Sequence, residues 1–207
     1  FKQKTAYEIV DCDWSSDVCS SDLHELGVAE RLETIRTRVS MTAVNPALMT
    51  DNPLSKIPSL VLDDGSVLYD SRVICEYFAE LAGDTHVIPA VPAARRLAMR
   101  RQALGDGILD FMILWRNERE RPAQQQSPLY IEAYRAKYAA TIESLDREAR
   151  SLPIEPTIGE IAIGVALSYL DFRFADLDWR KGRDEIAAWH RVFARRPSMI
   201  ATEPVDI

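Results

Sequence analysis

Histidine and cysteine are scarce, three of each in a chain of 207 residues. His24, His86 and His190 stand far apart, so no spacing suits a metal centre. His24-Glu25 begins like a zinc-protease helix, but Val28 stands where the second histidine belongs. There is no Gly-x-Ser-x-Gly turn and no phosphate-binding loop, and Gly105-Asp-Gly107 lacks the third glycine of a dinucleotide fingerprint. Long apolar runs are also missing. The longest, Ile161 to Leu167, falls far short of the roughly 18 residues that a spanning helix requires. Positive charge is in deficit, with Lys plus Arg 25 against Asp plus Glu 32 and a net charge of −7. A nucleic-acid binder needs a basic face to displace counterions, so that class is disfavoured. What is present, 47% hydrophobic and 28% charged residues, is the composition of a globular protein of one large or two small domains.

Residues 1–23 read unlike the rest. They carry Cys12 and Cys19, a polar run from Ser15 to Asp22, and no helical or strand period long enough to bury. No apolar core of about 7–15 residues follows the lysines, so this is not a secretory leader. Lys2 to Glu8 and Asp13 to Leu23 resemble the translation of the two constant arms of an indexed sequencing-library adapter. Ile9 to Cys12 stand where the variable index falls. The native protein is therefore expected to begin near His24, leaving Cys75 as its single cysteine. One cysteine makes no internal disulfide, as expected of a reducing cytosol.

From His24 the chain falls into two unlike halves. Leu32 to Val39 suggests a strand, and a polar, proline-marked stretch follows from Asn45 to Lys56. Ser59–Asp63 and Ser66–Tyr69 are short apolar runs joined by Asp64-Gly65, a strong hairpin signal. Ser71 then opens a helix with Val73, Ile74, Tyr77, Phe78 and Leu81 on one stripe. Residues 84–92, marked by Pro89 and Pro92, read as a linker. Helical period dominates thereafter: about Ala93 to Arg119, a second helix through Tyr134, Tyr138, Ile142 and Leu145, and a third behind Thr157. Thr157 and Glu160 have capping-box spacing, and the helix behind them is apolar on most sides, hence central. Ile186, Trp189 and Phe193 mark a last helix, stopped by Pro197.

Asn52-Pro-Leu-Ser-Lys-Ile-Pro58, the hairpin, and Asp70-Ser71 at a helix start together resemble the glutathione S-transferase family, bacterial type, over about His24 to Pro204. The resemblance implies an α/β plus all-α architecture. A thioredoxin-like N-terminal domain over 24–83 lacks its first strand, and an all-helical C-terminal domain covers 93–207. It also implies glutathione as co-substrate without a metal, a small hydrophobic electrophile as second substrate, a homodimer and a cytoplasmic location. No nucleic acid or membrane partner is expected.

Residue roles follow from the same resemblance. The family keeps a cis peptide before the proline at Pro58, turning the Ile57 backbone outward to pair with an extended peptide ligand. Ser71 is expected to cap the helix, whose N-terminus attracts a carboxylate while Asp70 accepts an ammonium. Both charges sit on one carbon of the γ-glutamyl group. Lys56 offers charge to the glycyl carboxylate or lies solvated. Phe111, Met112, Trp115 and Arg116 are candidates for the electrophile site, which in the family lies between the domains against the first helix after the linker. Their spacing suits core packing equally well. Thr157 and Glu160 are structural. The thiol-activating hydroxyl or thiol follows the first strand in the family; here that position falls in the adapter-like segment, so the catalytic residue is unassigned and conjugation is expected to be impaired. Two other readings stay open: a non-catalytic binding or regulatory protein, and a glutathione-dependent reductase or isomerase, which a cysteine in that position would favour.

Overall fold

A computed structural model describes residues 3–9 and 15–203. The chain divides into two compact units, one running to Arg96 and taking in the segment from Pro197, the other Leu97–Arg196.

The first unit is built on a four-stranded sheet of order β2-β1-β3-β4: β1 Gln3–Ile9, β2 Leu32–Thr37, β3 Ser59–Val61 and β4 Val67–Leu68. β1 lies parallel to β2 and antiparallel to β3, which pairs antiparallel with β4. This is the thioredoxin-like order, with one correction: the first strand, expected to be missing, is present. Thr5, Tyr7 and Ile9 alternate along it with the residue types that strands favour. Without β1, β2 would have no hydrogen-bonding neighbour and β3 would expose an edge. The Asp64-Gly65 turn forms as expected, Gly65 taking φ +84° and Leu62 N–H donating to Ser66 C=O at 2.8 Å.

A second correction concerns α1 (Ser15–Glu25), a helix where no period was legible. It packs against α2 (Ser71–Ala82) and buries Val18, Cys19, Ser21, Asp22 and Leu23. The buried face of α2 is Ile74, Cys75, Phe78 and Ala79, whereas Val73 and Leu81, assigned to the apolar stripe, are exposed. Cys75 of α2 meets Cys19 and Asp22 of α1.

The second unit holds the rest of α3 (Pro92–Glu120), then α4 (Pro128–Glu148), α5 (Ile158–Arg173) and α6 (Asp184–Phe193). As the sequence implies, α5 is central, buried almost continuously from Ile158 to Leu170. Pro197 both ends α6 and opens α7 (Pro197–Ala201), since proline is tolerated in a first helical turn. The segment from Pro197 groups with the first compact unit, where α7 packs on α1. Among the described residues no helix is long and apolar enough to cross a membrane.

Candidate functional site

The sheet register determines which residues meet. Leu60 faces Leu68 across the β3–β4 hairpin, so its open end carries Ile57–Pro58 on one side and Asp70–Ser71 on the other. Tyr7 of β1 faces Ser59, so the carboxyl end of β1 and the N-terminus of α1 lie toward the same end. Ligands of open α/β sheets bind beyond such strand ends.

A buried asparagine shapes the turn before β3. Asn52 donates from Nδ2 to the Lys56 carbonyl at 2.8 Å and to Ser59 Oγ at 3.1 Å, and accepts from Leu54 N–H at 3.0 Å. Ser59 Oγ donates to the same Lys56 carbonyl at 3.2 Å. The Ile57–Pro58 peptide so held is cis, as the resemblance implies. Ile57 and Pro58 are buried, and the Lys56 side chain is exposed. Sequence reasoning quoted Asn52 within the motif but gave it no role.

The cap of α2 differs from expectation. Asp70, not Ser71, is the N-cap, its carboxylate accepting from Arg72 N–H at 3.2 Å. Ser71 is the first helical residue and is buried, so its hydroxyl is not the capping group. Asp70 is exposed and stands on the positive end of a 12-residue helix, where an anionic side chain is favoured.

The chain belongs to the glutathione S-transferase family. Residues 16–81 match the glutathione S-transferase N-terminal domain and residues 128–191 the C-terminal domain. The first match begins inside the adapter-like segment. An uncharacterized GST-like protein of Escherichia coli K12, YibF, is 30% identical over 156 residues, covering 74% of this chain and 77% of that one. A glutathione transferase family member from Pseudomonas fluorescens Pf-5, solved with bound glutathione, is 35% identical with a TM-score of 0.89, over 97% of this chain and 98% of that one. A glutathione S-transferase from Methylobacillus flagellatus KT, also solved with glutathione, is 28% identical with a TM-score of 0.84, over 97% and 99% of the two chains.

In other members of this family the activating group follows the first strand, and here that connection, residues 10–14 with Cys12, lies outside the described residues. α1 opens at Ser15 and Ser16. Cys75 is no substitute nucleophile: hydrogen bonding to the Cys19 thiol, burial and the nearby Asp22 hold its thiol well above the usual range. At neutral pH it is a neutral core thiol.

On α3 the four candidates separate. Met112 and Trp115 are in the core, and Trp115 packs against Phe174 at 5.5 Å, Tyr138 at 6.2 Å and Tyr134 at 6.4 Å between ring centroids. Core packing accounts for both. Phe111 is half-buried, as is Arg116, whose Nε donates to Glu120 at 2.6 Å.

Proposed function

We propose that the protein binds glutathione at the open end of the β3–β4 hairpin and transfers its thiolate to small hydrophobic electrophiles. The observation carrying this reading is an exposed carboxylate on the N-terminus of α2, beside a hydrogen-bonded turn that ends in a cis proline. A γ-glutamyl group needs an acceptor for its ammonium and N–H donors for its carboxylate; Asp70 and the first turn of α2, opened by Ser71, are of those kinds. Lys56, Ile57 and Pro58 receive the rest of the tripeptide, and Phe111 and Arg116 of α3 are kept for the electrophile. The two relatives solved with glutathione support this reading. A cytoplasmic homodimer is the matching assembly and location.

Asp70→Asn tests it. Asparagine caps helices as well as aspartate does, so thermal stability is retained while the charge disappears. Calorimetric affinity for glutathione falls on the order of 10–100-fold, the worth of a charged hydrogen bond. Unchanged affinity overturns the site. Conjugation of an aromatic halide separates transferase from binding protein. The sequence alone predicts poor glutathione binding and little turnover; with β1 present, the unaltered chain binds glutathione but turns over slowly, and full turnover overturns the adapter-derived origin of residues 2–23.

A further inference from the structure

The helical unit carries a polar cluster that this function does not use. Asp171, near the end of α5, accepts from Arg180 Nη2 at 2.6 Å and from Trp179 Nε1 at 2.8 Å. Arg180 Nη2 also lies 3.1 Å from His190 Nδ1, and the opposite ring nitrogen, Nε2, lies 3.1 Å from Ser168 Oγ. Trp179 stands edge-on to His190, with ring centroids 5.5 Å apart and the Arg180 guanidinium over its face at 4.2 Å. His190 itself is 2% exposed.

Donor and acceptor chemistry assigns the tautomer. A guanidinium only donates, so Nδ1 must accept and the proton of the neutral ring sits on Nε2, facing Ser168. A nitrogen carrying its proton is no base toward that hydroxyl. Ser168 and His190 are therefore not a nucleophile and its base. The arrangement instead works only while the ring is neutral, because a proton on Nδ1 would face the guanidinium.

We propose that the Asp171–Arg180–His190 cluster is an acid-released latch: a proton entering at Nδ1 of His190 displaces the Arg180 guanidinium and frees the Asp178–Arg183 loop from α5 and α6. The loop is also held by the Trp179 indole, which is 3% exposed, and by Arg183 C=O, which accepts from Ala187 N–H of α6 at 3.1 Å. Lys181 N–H donates to Asp178 C=O at 3.0 Å and Arg183 N–H to Arg180 C=O at 3.0 Å, both within the loop itself. Burial opposes the charged ring most, Arg180 also opposes it, and Asp171 and a hydrogen bond to the Gly164 backbone favour it; the net effect lowers its pKa from 6.5 to about 4. Of the other charges near α6, Asp146 of α4 accepts from Ile186 N–H at 3.1 Å and Glu185 pairs with Arg150, while Asp184 and Arg191 of α6 are exposed.

Hydrogen exchange on the full chain, corrected for intrinsic rates, tests the latch between pH 7 and pH 4. With one proton taken up on opening, the open fraction of residues 178–183 rises about tenfold per pH unit below 6.5 and levels off near about 4. His190→Gln keeps an acceptor for Arg180 but cannot titrate, and its exchange stays flat over that range. An equal pH slope in His190→Gln overturns the proposal. Nitrogen NMR of the wild-type imidazole gives a second reading should the variant fail to fold. A neutral ring protonated at Nε2, titrating near about 4, supports the latch. A midpoint of 6 or above, or a proton on Nδ1 at neutral pH, overturns it.

Discussion

Asn52 shows how one buried side chain fixes the turn on which the proposed glutathione site is built. Its amide satisfies the Lys56 carbonyl, Ser59 Oγ and Leu54 N–H together, which fixes the turn entering β3. In Asn52→Ala the Lys56 carbonyl keeps only its hydrogen bond from Ser59 Oγ. Leaving buried polar groups short of partners costs roughly 1–3 kcal/mol. Denaturant unfolding should show that loss, and calorimetry should show weaker glutathione binding in a variant that retains Asp70. Undiminished affinity in a destabilised Asn52→Ala would mean that the turn plays no part in binding. Proline and lysine spacing made this turn legible in the sequence; the role of the asparagine was not, because a hydrogen bond across seven residues to Ser59 leaves no periodic trace.

At the scale of elements, the capping box does more than its spacing suggests. Glu160 accepts from Thr157 N–H at 2.8 Å and Thr157 Oγ1 at 2.6 Å, and also pairs with buried Arg101 of α3 at 2.6 Å. Arg101 in turn donates to Ser151 Oγ at 3.1 Å. Thr157→Ala therefore removes a cap, about 1 kcal/mol, whereas Glu160→Ala also takes the nearer carboxylate from buried Arg101, which keeps Glu148 at 3.7 Å and Ser151, and costs about 1.5–3 kcal/mol more. Equal losses in chemical denaturation would reduce Glu160 to a capping residue. The same helix pair explains Gly105, which the sequence offered only as a failed dinucleotide motif. A Cβ there would stand 2.5 Å from the Ala162 backbone, and one on Gly159 2.5 Å from the Ala98 carbonyl. Helical period revealed α3 and α5 but not which face of each must be bare, since close approach is a property of the pair. The apolar runs of β3 and β4 were likewise legible, whereas β1 and α1 were not. A strand of mixed polarity and a helix reading Ser-Ser-Asp-Val-Cys-Ser-Ser-Asp-Leu-His-Glu carry no amphipathic signal.

That helix matters for the molecule as a whole. The second unit is centred on α5, whose buried face is almost wholly apolar, whereas the first buries Cys19, Ser21 and Asp22 of α1 against α2 and α7. Ser21 Oγ lies 2.8 Å from Thr202 Oγ1, and Asp22 lies beside the Cys75 thiol and raises its pKa. The adapter-derived origin proposed for this segment from its sequence implies no history of packing against α2, and so predicts that an apolar side chain serves better than the Asp22 carboxylate. Even a partnered buried carboxylate bears a desolvation cost that a well-packed apolar replacement avoids. Asp22→Val should therefore stabilise the first unit by about 1–3 kcal/mol. Calorimetry would record this as a rise of several degrees in that unit's transition, the second unit's staying fixed. A loss of stability would instead mark Asp22 as a working member of this core, and the polar inner face of α1 as native.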